Sequence, residues 1–513
     1  METDSIEIKI GKAFFWNSLL LPISGVASFL GLIFIARFLS LHDFGIYAII
    51  NSIITLCIGY GDLGVSTGAS KFFPEVAVRE GKRGVSHLLK YLLQIKCGMG
   101  LLTLFILLLF AKIFSSWFKM DETYLFAFPY MGIIVFLDSF YYLFHNLLWA
   151  IFEQKKANLL TFGFTLLQPL LIILFILWGW EIRGILIGMT ISSFLRAGGF
   201  FFIGILKIRN MEEVEQKVSP EGGNWPKFFR VSLFGYFDKV SNYFFSIPFI
   251  TLLLALYLGK DDVALFSLAG ELTLRFLSLS LTPTHGWILP LFSTVFASKV
   301  EDRIRATFSN TLKIVTLLSI PIGTFLYVFA HPLILHLYSE KYSAAVPIAK
   351  ILIVFYFLEY TVLAVANATL IAGEKLKTYF WIKAIFFLSI PLYFLVIPLG
   401  GLTGTAYFYG VVRLLVAASL ILAVLNLFRF GFPFEFYGKA ILSAGIVAGL
   451  SEISISILGS IILQNLFWIS MEGIGFLFIY YLTIKGLRLF GEDEKELLIK
   501  MKIPYIHKLL RWV

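Results

Sequence analysis

The sequence predicts an all-α polytopic membrane protein: about fourteen transmembrane helices, forming two six-helix bundles related by a pseudo-two-fold axis normal to the membrane, plus two C-terminal helices. Three observations predict it. Of 513 residues, 59% are hydrophobic and 14% charged, whereas an ordinary soluble domain holds about 45–50% and about 25%. Apolar runs of the roughly 20 residues needed to cross a hydrocarbon core of about 30 Å recur along the whole chain. A shift of 219 residues also lays first-half residues over similar ones in the second half. The composition excludes a water-soluble globular enzyme.

The expected spans, in order, are 14–36, 44–66, 88–111, 124–150, 158–179, 184–206, 228–257, 263–289, 307–329, 343–370, 378–398, 401–427, 438–461 and 464–485. Each is an apolar run bounded by charge or turn clusters. The first follows a Met1 to Lys12 segment with charges of both signs, and no small-residue cleavage site lies behind it. It therefore reads as a retained crossing, not a signal peptide. The last two spans are interrupted by Ser451, Glu452, Gln464, Asn465 and Glu472. The longest connections, 67–87 and 207–227, leave no room for a soluble catalytic domain. The resulting organisation is a bundle over 1–210, a cytoplasmic linker over 211–227, a second bundle over 228–430, two additional helices over 431–485 and a basic tail over 486–513. Gly491 to Val513 reads either as an interfacial helix kinked at Pro504 or as a disordered tail.

Lysine and arginine are retained on the cytoplasmic side of short loops. With the N-terminus inside, the inner segments and span ends hold 28 of the 42 basic residues. The outer loops hold only Arg37, Lys112, Lys119, Arg183, Lys260 and Lys341. Both termini are then cytoplasmic, in a cell inner membrane. The net charge of +10 is largely this bias together with a tail near anionic headgroups, so nucleic acid is not an expected partner.

The 219-residue shift places Ala36, Leu39, Asp43, Phe44, Gly45, Ile46 and Tyr47 over Ala255, Leu258, Asp262, Val263, Ala264, Leu265 and Phe266. Without a gap it also puts Phe110 and Ala111 over Phe329 and Ala330. The offset spans six helices, an even number, so the two copies share an orientation.

Charged side chains inside spans are costly in lipid and usually face protein or a wet cavity. Here they are Lys96, Asp138, Arg196, Asp238, Lys239, Glu271, Arg275, Lys313, Lys350, Glu359, Lys383 and Arg413, with Asp62 at a span end. Lys313, Lys350 and Lys383 lie close enough to span ends to snorkel. Ser267, Glu271, Arg275, Ser278, Thr282 and His285 form one stripe on the eighth span. The stripe covers about 27 Å of rise and is expected to line an aqueous path. The competing reading is an internal Glu271 to Arg275 pair, which leaves the uncharged members without a role. Asn17, Ser24, Ser28 and Gly31 share a face of the first span, and Asn51, Thr55, Gly59 and Asp62 share one on the second; close helix packing explains these equally well. On the seventh span Asp238, Asn242 and Ser246 align, with Lys239 and Tyr243 beside them. The seventh span is the counterpart of the first and the eighth of the second, so these helices are expected to share a central cavity.

Catalytic chemistry has no visible basis. There is no phosphate-binding glycine loop, Gly-x-Ser-x-Gly elbow or His-Glu-x-x-His. The two cysteines, Cys57 and Cys97, sit in apolar runs, and the seven histidines form no ligand pair. No enzyme activity, metal or cofactor is expected, so energy has to come from an ion gradient, the membrane potential or a downhill substrate gradient.

Two segments carry a resemblance: Ile35-Ala-Arg-Phe-Leu-Ser-Leu-His-Asp-Phe-Gly-Ile-Tyr47, and Gly61-Asp-Leu-Gly-Val-Ser-Thr-Gly-Ala-Ser-Lys-Phe-Phe-Pro-Glu75. They resemble the first two helices of the polysaccharide transporter family of lipid-linked oligosaccharide flippases, the Wzx type. Leu265 to Leu272, and Phe329 to Tyr338 followed by Tyr342 to Ile348, look like its eighth and its ninth-to-tenth helix signatures. The resemblance covers roughly residues 10–430. It implies paired six-helix bundles of the multidrug/oligosaccharidyl-lipid/polysaccharide exporter superfamily and transfer of a polyprenyl-diphosphate-linked sugar unit to the outer leaflet. It also implies a basic cavity, which Arg275, Lys239, Lys96, Arg196 and Arg413 fit, with Asn242, Tyr243 and Ser278 as further substrate contacts. Phe244 joins Tyr243 as a face for sugar rings. Asp138, Asp238, Glu271 and Glu359 depart from a purely cationic lumen. Glu271, Asp138, Asp62 and Glu359 are the expected carboxylates for coupling to H+ or Na+. Expected partners are the lipid-linked saccharide, the bilayer, and the glycosyltransferases and polymerase of the same pathway. The alternative is a cation-coupled drug or small-metabolite exporter of the same superfamily; a non-transporting scaffold would leave the eighth-span stripe without a task.

Overall fold

The computed structural model describes residues 6–151, 153–211, 213, 225–462, 466–487 and 489; the side chains at 6–19, 21, 22, 225–227, 229, 231, 234, 278–287 and 458–470 fall outside that description. The described residues form helices and short connections, without a strand. In chain order the helices are α1 Ile6–Phe38, α2 Leu41–Tyr60, α3 Val65–Leu109, α4 Ala111–Trp117, α5 Ala127–Ala150, α6 Gln154–Leu177, α7 Glu181–Arg209, α8 Trp225–Tyr243, α9 Ile247–Tyr257 and α10 Lys260–Ala297. They continue as α11 Glu301–Leu337, α12 Val346–Ala372, α13 Leu376–Phe428, α14 Phe434–Ile462 and α15 Leu466–Gly486. The protein is an all-α polytopic membrane protein, and each expected span overlaps one or more of the described helices; the span 44–66 also takes in the turn between α2 and α3. By length and apolarity, nine of the described helices suffice to cross a membrane, or ten when α8 and α9, bent by 45° at their junction, count as one.

The two longest helices, α13 and α3, are each broken at a glycine. α13, with 53 residues, turns at Gly401 (φ 55°, ψ −150°), a backbone region open essentially to glycine alone. That break divides it into the two expected spans. α3 turns likewise at Gly81 (φ 59°). The 67–87 connection is helical across that break: the segment is amphipathic, burying Phe72, Phe73 and Val85 while Lys71 and Arg79 stay exposed. A hydropathy threshold set for lipid-facing spans misses such a helix. The 207–227 linker lies mostly outside the described residues, as does the tail from 490 onward.

The chain divides into two compact units, Met1–Ser267 and Leu268–Val513. In the first, α3 packs on α5, α1 on α6, and α7 on both α5 and α6. Its core joins Phe73, Leu89, Leu92, Phe144, Leu147 and Phe200. α8 and α9 also belong to this unit, against α2 and α3. In the second, α12 packs on α11 and α13, and α14 bridges α11 and α15 through Phe329, Val447 and Phe476.

Candidate functional site

The site begins where α2 ends. The chain turns through Gly61, Asp62, Leu63 and Gly64 into α3, with Gly64 left-handed at φ 74°. α8 runs close over this turn because small residues let the backbones approach. A Cβ at Gly64 would lie 1.9 Å from the Ser232 carbonyl oxygen, and one at Gly59 would lie 2.4 Å from the Tyr243 ring. Tyr243 meets Tyr60 edge-on at 5.9 Å, Phe244 lies 5.4 Å from the same ring, and the Tyr236 hydroxyl donates to the Tyr60 carbonyl.

Asp62 is buried at this turn, 2% exposed, and so is Lys96 on α3. Lys96 Nζ donates to Asp62 Oδ1 at 2.5 Å, and Ser66 Oγ donates to the same oxygen at 2.5 Å. Lys239 on α8 brings its Nζ to 3.2 Å from Asp62 Oδ2. Two ammonium groups thus face one carboxylate, and they differ in access: the Lys96 side chain is 3% exposed and that of Lys239 32%. Lys239 is therefore the charge that a solute can reach. It opens onto a cavity of about 580 Å³ lined by Ser66, Thr67, Ser70, Asn146, Gly235, Asp238, Lys239, Asn242, Tyr243 and Ser246. Asn242 Nδ2 stands 3.5 Å from Asp238 Oδ2 on the same wall. The lining offers hydroxyls, amides, one accessible ammonium, the Asp238 carboxylate and one phenol ring, a set suited to sugar hydroxyls, with the ammonium as the contact for an anionic link.

Of the sequence-predicted residues, Asp238, Lys239, Asn242, Tyr243 and Ser246 line this cavity, and Asp62 and Lys96 form the ion cluster behind it. Asp138 and Arg196 pair with each other at 2.6 Å, with the guanidinium 4.5 Å from the Tyr141 ring centroid. In the second unit Arg413 makes a two-point contact to Glu359, 2.6 and 2.9 Å, beside Tyr356 and Tyr409. Glu271 and Arg275 form the internal pair, Nε to Oε2 3.1 Å, and both are half-buried. Ser278, Thr282 and His285 lie outside the described side chains, as does Asn17. Gly31 packs against Pro169, where a Cβ would meet the ring at 2.7 Å, so the first-span face serves close packing at that point. Lys383 corrects the snorkelling expectation: it is 3% exposed, its Nζ 4.5 Å from the Tyr379 ring centroid. Ser66, Thr67, Ser70 and Asn146 escaped sequence reasoning as lining residues. The first three sit on the amphipathic arm of α3, and its helical spacing of hydroxyls at 66 and 70 was the available signal.

A profile of polysaccharide biosynthesis proteins matches residues 34–347. No curated protein matches the chain. Among solved structures, the lipid II flippase MurJ in an inward closed conformation superposes with a TM-score of 0.69 at 16% identity, covering 93% of this chain and 98% of that one. An inward-facing MATE family multidrug resistance transporter of the MOP superfamily gives 0.64 at 13% identity, covering 79% and 94%. A point mutant of the Vibrio cholerae MATE transporter VcmN gives 0.56 at 17% identity, covering 82% and 97%. The structural likenesses share the fold, and the profile spans more than half of the sequence: the chain belongs to the polysaccharide biosynthesis protein family.

Proposed function

We propose that this protein is an alternating-access flippase that moves a polyprenyl-diphosphate-linked oligosaccharide from the inner to the outer leaflet of a cytoplasmic membrane for cell-surface polysaccharide synthesis. One observation carries the reading: an accessible lysine, Lys239, is held at 3.2 Å by a buried carboxylate in a hydroxyl- and amide-lined cavity. A sugar head with a diphosphate does not cross hydrocarbon unaided, because each unsatisfied polar group costs several kcal/mol there. The cavity lining replaces the lost water. An arriving diphosphate competes with Asp62 for Lys239, gaining a charge-assisted hydrogen bond. Asp62 then keeps Lys96 and Ser66 and loses one cation, which favours uptake of H+ or Na+ at the carboxylate. Substrate binding and ion binding are thereby linked through one oxygen pair, with no catalytic step and no cofactor.

Both termini are assigned to the cytoplasmic face by the basic-residue bias, and the glycosyltransferases and polymerase of the same pathway are the natural partners upstream and downstream. The MOP-superfamily fold equally hosts multidrug transport, and the compact Asp62 site is the feature a cation-coupled exporter would share. The deciding experiment follows a labelled polyprenyl-diphosphate saccharide to the outer leaflet of proteoliposomes. Purified protein accelerates its appearance, and Lys239→Ala slows it at least about ten-fold, the loss of one charge-assisted contact. Absence of any acceleration by the wild-type protein overturns the flippase reading, and full activity in Lys239→Ala overturns the site.

A further inference from the structure

A second cleft lies in the first unit, distant in sequence from Asp62, on the face that the lysine and arginine bias assigns to the outside. Its volume is about 630 Å³, within the usual range for small-molecule sites, and its walls are Tyr124, Phe126, Tyr130, Trp180, Glu181 and Arg183. These residues come from the connection leading into α5 and the first turn of that helix, and from the turn joining α6 to α7 and the first turn of α7.

Three of the four rings are pinned, each by a different interaction. Trp180 stacks on Phe175 with centroids 5.4 Å apart and planes 18° apart, and meets Trp178 at 6.0 Å, yet remains 46% exposed. The Tyr124 hydroxyl donates to Asp43 Oδ1 at 2.8 Å, and that aspartate is held in turn by Ser40 at 2.6 Å. Phe126 carries the Arg183 guanidinium over its face, 4.6 Å from the centroid. Trp180 stands between two positive φ angles: Gly179 at 81°, which glycine adopts freely, and Glu181 at 43°, where the strain lies. A non-glycine residue in that region costs of order 1 kcal/mol or more, and such strain concentrates where a side chain has to be aimed. Position 179 has open space around it, so its glycine serves the backbone angle and not packing.

We propose that this cleft is a saccharide-binding site, which receives pyranose rings of the headgroup on the outer face. Fixed aromatic faces take the apolar side of a sugar ring at little entropic cost, and an exposed carboxylate and guanidinium at the rim accept from and donate to its hydroxyls. An interfacial aromatic belt accounts for exposed tryptophans. It does not account for rings locked around a concavity with Glu181 and Arg183 at its edge. The identity of the ligand rests on the flippase reading, and the site itself rests on the cleft.

The test uses the full-length protein in nanodiscs, with oligosaccharide released by mild acid from the polyprenyl-linked pool of the source cells as probe. Saturation-transfer NMR should show contact to its ring protons. Binding should weaken about ten-fold in Trp180→Ala, about the worth of one good ring contact, and should survive in Trp180→Phe. Tyr130→Leu provides a second weakening variant should Trp180→Ala fail to fold. Lys239→Ala should leave this binding in place while slowing translocation. Absent binding, or binding equal in wild type, Trp180→Ala and Tyr130→Leu, overturns the cleft assignment even if translocation proceeds. Failure of the wild-type protein to translocate overturns the flippase reading alone.

Discussion

Asp62 accepts from Lys96 and Ser66 and faces Lys239, and the two lysines answer to different physics. Removing one partner of a fully buried pair leaves an uncompensated charge, typically costing 3–5 kcal/mol, whereas a partly exposed pair is worth about 1 kcal/mol or less. Lys96→Met is therefore expected to lower thermal stability strongly and Lys239→Met only slightly, as read by the unfolding midpoint of the detergent-purified protein. Equal losses would contradict the division of roles. Lys260, at the first turn of α10, sets a pH dependence. Burial, then the neighbouring Lys119 charge, pushes its amine down to about 8, with Asp121 opposing. The folded state disfavours its charged form, so the penalty is complete below about pH 8 and fades as pH rises from there towards the ordinary lysine value. Stability should climb over that window in the wild type, and the climb should flatten in Lys260→Met; parallel profiles would exclude Lys260 as its source.

At the scale of elements, glycines do two separable jobs. Gly401 breaks α13 by its backbone angles alone, since nothing lies within 4 Å of an added Cβ. Gly401→Ala is expected to cost about 1–3 kcal/mol of strain that no neighbouring substitution relieves. Gly59 instead makes room for the Tyr243 ring. Gly59→Ala should destabilise by about 1–3 kcal/mol of overpacking, and Tyr243→Ala in the same chain should offset much of it. A double-mutant cycle on unfolding midpoints checks both, and additivity at the Gly59 and Tyr243 pair would refute the packing account. The amphipathic arm of α3 belongs to this scale too. Phe72 and Phe73 alternate with lysine and hydroxyl residues there, a pattern that reads as a loop to a membrane-span criterion and as a helix to a 3.6-residue period.

For the whole molecule, orientation is the testable property. In a Cys57→Ser, Cys97→Ser background, Glu122→Cys should react with a membrane-impermeant maleimide in intact cells, and Arg303→Cys only after permeabilisation. The reverse pattern would invert the assignment of both faces, and with it the direction in which the Lys239 cavity and the Trp180 cleft are met. The compact units divide at residue 267 within α10. In the first of them α8 and α9 lie with α2 and α3, so residues 66–70 and 235–246 are brought to one cavity.

The sequence by itself determined the solvent and the secondary structure. Apolar runs of bilayer length leave the backbone no partner but itself, so helices follow wherever such runs occur. It also marked the residues able to carry charge inside them, because each is too costly to place in lipid by chance. Which of those charges meet was decided only in three dimensions. Periodicity put Glu271 and Arg275 on one stripe, and they pair locally; it gave no hint that Asp62 would hold Lys96 from 34 residues away and Lys239 from another helix, or that Arg413 would close on Glu359. A helix face is a local property, whereas a salt bridge depends on how far two helices slide and rotate against each other, and that is set by close contacts such as those at Gly59 and Gly64.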